Sequence, residues 1–285
     1  MPLKIHAIIL ALNEEDFIIP QLDTLYNFCS RISIITQYDR DWYASFVKPD
    51  NTANLILNYP DPHGKIHFTV RRLPDEAAAR NMEMLSFNGK PYKGTISHGR
   101  AFNEIIDFHE APDYFWIVDA DEIYDIQTIP SILKYLEQKK PRGMRVTGYN
   151  YVENWHQRIP NSIIDFTHFG FIKPNLLFEQ RRTISWNLQR LSKLFKILRL
   201  PDLSDNIYGF INCPKEVGVF HHACWIGDKE RIWNKFQKSS HSESKTWDTE
   251  SVKDFKFENI PFNELPTNIQ NANWPINFIH KREKN

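Results

Sequence analysis

Cysteine is scarce in this chain. The three present, Cys29, Cys213 and Cys224, are widely spaced and odd in number, which argues against a disulfide framework and suits a reducing compartment. No window reaches the roughly 18 uninterrupted apolar residues that a membrane-spanning helix needs. The apolar stretch 7–12 is too short for one and lacks a signal-peptide cleavage pattern, so the expected location is the cytoplasm. Net charge is also missing. Lys and Arg number 35 and so do Asp and Glu, leaving no global field to steer the protein toward a polyanion. There is no internal repeat and no long low-complexity tract. The first apolar run is followed by Asn13, Glu14 and Glu15 rather than by a Gly-rich phosphate loop, which disfavours a nucleotidyltransferase.

What remains is the composition of a folded protein, 41% apolar and 25% charged over 285 residues. That length suits one large domain, or one domain with a substantial extension. Aromatic residues reach 14%, a level that fills cores and also suits contact with sugar faces.

Residues 5–12 read as a buried strand opening a parallel sheet, and an amphipathic helix is expected over 16–29. A second strand is expected at 31–36, ending in the polar run 37–41. Residues 50–64, punctuated by Pro60, Pro62 and Gly64, read as loop. A short strand is expected near 65–70, with helices around 75–86 and 100–110. The run from Tyr114 to Val118 is aromatic and β-branched and stops at Asp119. Beyond Pro130 a helix to about Lys139 and a strand over 144–152 are expected, with a helical stretch at 228–241. Alternation of this kind predicts an α/β fold with a mostly parallel sheet flanked by helices. Ligands of such sheets bind beyond the carboxyl ends of the strands, where Asn13, Asp39 and Asp119 all fall.

The most informative segment is Tyr114-Phe-Trp-Ile-Val-Asp119-Ala-Asp121-Glu122. Carboxylates two residues apart on extended chain face one side. Paired hard oxygens suit Mg²⁺ or Mn²⁺, particularly when substrate phosphates complete the shell. A nucleotide-sugar donor calls for that arrangement, because departure of the sugar leaves negative charge on a phosphate that a cation can neutralise.

Leu10-Ala-Leu-Asn-Glu-Glu15 resembles the first strand and turn of family-2-type GT-A glycosyltransferases, and Asp119-Ala-Asp-Glu-Ile123 resembles their Asp-x-Asp element. The C-terminal half is similar to the family of the bisecting N-acetylglucosaminyltransferase and its microbial relatives. There an Asp-Val-Asp-Glu-Ile run is followed by a His-Phe-Ser-Trp-like element, a Lys and a His, matched here by His222-Ala-Cys-Trp225, Lys235 and His241. The resemblance covers residues 1–15, 98–125 and 214–241.

This resemblance implies a GT-A (Rossmann-like) fold, an inverting mechanism, Mn²⁺ or Mg²⁺, and a nucleotide-sugar donor, a UDP-sugar foremost. A catalytic domain over 1–245 follows, with a donor half at about 1–125 and an acceptor half at about 126–245. Residues 246–285 form an extension packed on it. By carry-over Asp121 is a metal ligand, and Asp119 contacts the ribose or the metal through water. His222 is a third ligand or a diphosphate contact, with His221 as its rival, since adjacent strand residues point to opposite faces. Asn13, Glu15 and Asp39 sit on the donor side, and Lys235 is placed to hold phosphate oxygens. Two arginines compete for the diphosphate, Arg80 in Ala77-Ala-Ala-Arg80-Asn81 and Arg100 in Gly99-Arg100-Ala-Phe-Asn103, with Arg100, at the more usual distance before the Asp-x-Asp strand, preferred.

An inverting transfer needs a carboxylate base near the acceptor hydroxyl. Glu153, Asp165 and Asp205 lie in the expected region, with Asp165 and Glu153 preferred. Residues 180–199 carry Arg181, Arg182, Arg190, Lys193, Lys196 and Arg199 without an acid. Their helical spacing puts an apolar face opposite a cationic one. Such a face suits solvent, the membrane of a lipid-linked acceptor or nucleic acid. The expected acceptor is a hydroxyl of a carbohydrate or lipid-linked glycan. The alternatives are a hydroxylated base of phage DNA and a non-catalytic sugar-binding module.

Overall fold

The computed structural model describes residues 2–37, 48–70, 76–86, 111–159, 166–174, 176, 178, 208–226 and 258–271. Strands β1 (Ile5–Leu10), β2 (Arg31–Thr36), β3 (Ile66–Val70) and β4 (Tyr114–Asp119) run parallel in the order β3-β2-β1-β4. Helices α1 (Ile18–Leu25), α2 (Thr52–Leu57) and α3 (Glu76–Ser86) lie between them in sequence. The second half adds β5 (Glu122–Tyr124), α4 (Ile129–Lys139), β6 (Gly143–Arg158), β7 (Phe166–Ile172), β8 (Phe210–Asn212) and β9 (Phe220–Ile226). β10 (Glu258–Asn259), a 3₁₀ turn at Phe262–Glu264 and α5 (Thr267–Asn271) complete the described elements. The whole is a mixed sheet of mostly parallel strands flanked by helices, in the order β3-β2-β1-β4-β7-β6-β9-β5, with β8 and β10 also on β6.

Period-2 alternation divides the core. On β1, Ile5, Ala7 and Ile9 join the cluster that packs α1 and α4 on one face, while Ile8 and Leu10 join the cluster that packs α3 on the other. β4 repeats the division, with Tyr114, Trp116 and Val118 against Phe115 and Ile117. Being apolar on both faces is what makes β1 and β4 continuous hydrophobic runs in the sequence. A third cluster joins Ile123, Tyr151, Trp155, Ala223 and Ile226 to Ile260, Leu265 and Ile269 of the C-terminal segment.

β6 organises the second half. Its residues 143–148 pair β7 and its residues 148–153 pair β9, with register shifts at Met144/Arg145 and Asn150/Val152. β9 in turn carries β5. β5 follows β4 with only Ala120 and Asp121 between, a link that spans roughly 10 Å at most. The sheet therefore curls until β5 returns to the end of β4. Trp116 marks the inside of the curl, 4.9 Å from Phe171 of β7 and 4.9 Å from Tyr124 of β5 between ring centroids.

Several elements differ from expectation. Residues 50–64 are not all loop, because α2 forms over Thr52–Leu57. Local propensity gives little sign of it. The helix start is fixed by bonds such as Thr52 N to Asp50 Oδ1 at 2.8 Å and Glu14 N to Thr52 Oγ1 at 2.8 Å. α1 is shorter than 16–29, and β6 runs past 152 to Arg158, where it pairs β10. The expected helices at 100–110 and 228–241 and the segment 180–199 lie outside the described residues. Among the described residues no helix is long and apolar enough to cross a membrane.

Trp116 is fully buried, so Trp116→Ala removes a large side chain from the inside of the curl. It is expected to lower unfolding free energy by about 3–5 kcal/mol, read as a lower urea midpoint.

Candidate active site

The parallel half of the sheet delivers β1, β2 and β4 to one edge, and polar residues begin where these strands stop. Asn13 adopts a left-handed backbone with φ of 56°, a conformation that Asn tolerates better than most residues. Its Nδ2 donates to Lys48 O at 3.0 Å and its Oδ1 accepts from Asp50 N at 3.2 Å. Glu15 Oε2 accepts from Asn51 N at 3.0 Å, and Glu15 N donates to Asp50 Oδ2 at 3.1 Å. Both residues were expected at the donor. Here their polar atoms knot the turn after β1 to residues 48–52.

α3 lies close against the sheet because Ala77, Ala78 and Ala79 are small and buried. This brings the fully buried Arg80 to the end of β4. Its Nη2 donates to Asp119 Oδ1 at 2.8 Å and its Nη1 to Glu76 Oε2 at 3.2 Å. Arg80 is thus the arginine joined to the acidic pair, while Arg100 lies outside the described residues. One turn further along α3, Glu83 receives Ser33 Oγ–H from β2, with His6 at 3.9 Å and His67 at 3.8 Å. Burial alone would raise the Glu83 carboxyl. Hydrogen bonds from His67 and Ser33 and the charges of both histidines outweigh it and hold the group at about 2. Asn81 fixes the opposite side of the helix, donating to Phe178 O at 2.6 Å and accepting from Phe178 N at 2.8 Å.

The turn from Asp119 to Glu122 is braced from within by Glu122 and from outside by Gln21, which the sequence did not single out. Glu122 Oε2 accepts from Asp119 N at 3.1 Å. Gln21 Nε2, from α1, donates to Glu122 O at 2.9 Å and Asp119 O at 3.2 Å. On the other side Ala223 N donates to Asp121 O at 2.8 Å, and Glu122 lies opposite His222 in the β5–β9 register.

That register sets the two adjacent histidines on opposite faces. His222 faces the acidic turn, with Nε2 3.7 Å from Asp121 Oδ2, while its Nδ1 donates to Asn150 Oδ1 at 2.8 Å. His221 points to the other face, into the third core cluster, where its Nδ1 lies 2.8 Å from the Tyr151 hydroxyl. Burial, reinforced by the nearby Arg158 charge, pushes the His221 imidazole down to about 3, so it is neutral at pH 7.

With Nδ1 donating to Asn150, His222 turns Nε2 toward a carboxylate oxygen. An imidazole nitrogen and a carboxylate oxygen facing at 3.7 Å are held together by a proton or by a cation between them. The donor set, imidazole plus carboxylate, suits Mn²⁺ or Mg²⁺, and the Asn150 bond is the kind of outer support that fixes a metal-binding tautomer. The expected three-ligand set of Asp119, Asp121 and His222 is not preassembled. Asp119 Oδ1 is taken by the Arg80 guanidinium, and among the described residues no three His, Cys, Asp or Glu side chains stand ready to hold a metal. Of that set, Asp121 and His222 are the two whose side chains face one another. Asp39, Asp165 and Lys235 lie outside the described residues. Glu153 is placed by its backbone on β6, opposite Ile226.

No protein-family model and no curated protein matches the chain. Among solved structures it is similar to TarS residues 1–349 from S. aureus. Identity is 12% and the TM-score 0.36, covering 87% of this chain and 77% of that one. A complex of the same protein with UDP gives 13% identity, TM-score 0.36 and the same coverage. A complex with UDP-GlcNAc gives 14% and 0.31, covering 52% of this chain and 35% of that one. At such distance the chemistry is read from the chain's own residues.

His221 and Glu83 both bind protons less readily in the folded chain than in the unfolded one. Their contributions are therefore complete at neutral pH and lost on acidification. Stability is expected to decline as pH falls from 6.5 toward 3 through His221, and further from 4.5 toward 2 through Glu83. Urea midpoints measured from pH 7.5 to 4 check this, with His221→Gln flattening the profile between pH 6.5 and 5.

Proposed function

We propose that this chain is a metal-dependent inverting glycosyltransferase. It transfers a sugar from a nucleotide-sugar donor, a UDP-sugar first among them, to a hydroxyl of a carbohydrate or lipid-linked glycan. The observation that carries the reading is the approach of His222 Nε2 to Asp121 Oδ2, 3.7 Å apart, at the carboxyl end of a parallel sheet. The donor occupies the side built by residues 1–125 and the acceptor the side built by 126–245, with 246–285 as an extension.

Charge supports the cation. Asp119 and Glu76 hold the buried guanidinium of Arg80, Asp121 and Glu122 follow Asp119 directly in the chain, and a diphosphate brought to these carboxylates alone would be repelled. Mn²⁺ or Mg²⁺, held by Asp121 and His222, would supply Lewis-acid neutralisation of the departing nucleoside diphosphate. Arg80 holds the Asp119 carboxylate, whose side chain remains 31% exposed, ready to accept a hydrogen bond from a ribose hydroxyl. Asn150 keeps the proton on Nδ1 of His222. A carboxylate base, Asp165 or Glu153, takes the acceptor hydroxyl proton as the new C–O bond forms and the bond to the diphosphate breaks. Glu153 comes after Asn150 along β6, the strand that orients His222.

Thermal shift with UDP-sugars, with and without Mn²⁺, tests the reading. A ligand at about 100 times its Kd adds about 2.7 kcal/mol of stability to the unaltered chain. Asp121→Ala and His222→Ala are expected to abolish the Mn²⁺-dependent part and to reduce turnover by about 10²–10³-fold, the scale of removing one electrostatic stabiliser. Undiminished turnover in Asp121→Ala would exclude the assignment.

A further inference from the structure

β5 is the outermost strand on its side of the sheet. Its inner edge is satisfied by β9, Asp121 O accepting from Ala223 N and Ile123 lying opposite His221. Carbonyls alternate sides along extended chain, so those of Glu122 and Tyr124 point outward, where no strand pairs β5 among the described residues. A buried carbonyl without a donor costs about 1–3 kcal/mol.

Two side-chain amides meet these carbonyls instead. Gln21 Nε2 donates to Glu122 O at 2.9 Å and to Asp119 O at 3.2 Å. Asn268 Nδ2, on α5, donates to Tyr124 O at 2.9 Å and to Thr24 Oγ1 at 3.1 Å. Thr24 lies on α1 one turn after Gln21, and its hydroxyl donates to Pro20 O at 2.8 Å. The oxygens of both amides, Gln21 Oε1 and Asn268 Oδ1, are buried and have no hydrogen-bond partner among the described residues. An apolar residue of similar shape would avoid that cost, so the two amides are retained for their donors. Both donate to one strand, and that strand comes directly after the acidic turn.

We propose that Gln21 and Asn268 are positioning residues for the cation site. They stand in for a missing neighbour strand and hold the turn that presents Asp121 to His222. The inference rests on the reading of Asp121 and His222 as cation ligands. The coupling runs through the main chain. Glu122 is in register with His222, so any slide of β5 along β9 changes the 3.7 Å separation directly. It also makes residues 258–271 part of the site's support, although Asn268 is 144 positions from Tyr124.

The test is titration of the full-length chain with Mn²⁺ alone, free Mn²⁺ being read from its EPR signal, alongside thermal melting. Gln21→Met and Asn268→Leu keep approximate shape and remove the donors. Each is expected to weaken Mn²⁺ binding about tenfold or more, the scale known for outer-shell partners of metal sites. Leu22→Ala, a core truncation on the same helix, is expected to lower the melting temperature while leaving Mn²⁺ affinity within about twofold of the unaltered chain. Loss of affinity in the amide variants but not in Leu22→Ala separates positioning from general stability. Unchanged affinity in both folded amide variants overturns the inference and leaves the cation site standing. Absence of Mn²⁺ binding by the unaltered chain, or full binding by Asp121→Ala, overturns the cation reading and the inference with it. If Gln21→Met does not fold, Gln21→Asn, which withdraws the amide by one methylene, is expected to show the same loss. Failure of that variant to fold as well would make Gln21 a folding residue and overturn its positioning role.

Discussion

Only Ala120 and Asp121 separate β4 from β5, yet in the hydrogen-bonded order of the sheet β7, β6 and β9 stand between them. Both statements hold only if the sheet bends back on itself, and this bend is what assembles the site. It sets β9 beside the end of β4, so residues a hundred positions apart in sequence meet without any long loop reaching across. Trp116 fills the resulting interior, touching one ring on each side of the closure. A flat sheet of the same strands would leave the acidic turn at one point and the histidine strand well away from it.

The second constraint is the handling of buried charge. A fully buried guanidinium is tolerable only with carboxylates on its fork, and Arg80 has Asp119 and Glu76. The buried carboxylate of Glu83, one turn further on, is met by a hydroxyl and two imidazoles. α3 is therefore fastened by opposite charges at successive turns, while its alanines allow the close approach that the fastening needs. Burying such pairs adds little net stability. What it gives is a defined angle between helix and sheet, and so a defined place for the Asp119 carboxylate.

Elements whose signal is local were legible in the sequence. β1, β2 and β4 announced themselves as short runs dominated by β-branched, aliphatic and aromatic residues, because nearly all of their side chains are buried on both faces. Strand periodicity alone placed His221 and His222 on opposite faces, and the motif resemblance put His222 at the acidic turn. The residues that escaped notice are neutral amides, namely Gln21, Asn150 and Asn268, and the partner of Asn81 was equally hidden. Nothing in an Asn or Gln advertises a partner, and here the partners lie between 72 and 144 positions away. α2 escaped for the same reason, being held by bonds from a distant turn rather than by its own six residues. Of the two arginines that spacing left in competition, only Arg80 falls among the described residues, and its tie to Asp119 depends on how closely three alanines let a helix approach.

The adjacent histidines of β9 carry one further implication. The strand divides a dry compartment, which keeps His221 uncharged, from the acidic edge, where His222 stands. Neighbours differing by one step along the chain thus have incompatible chemistry, and both are imidazoles. A slip of β9 by one residue against β5 and β6 would leave composition and sequence intact while exchanging their surroundings. Burial of Phe220, Ala223 and Ile226, none of which takes part in any reaction, therefore fixes which imidazole stands on which side.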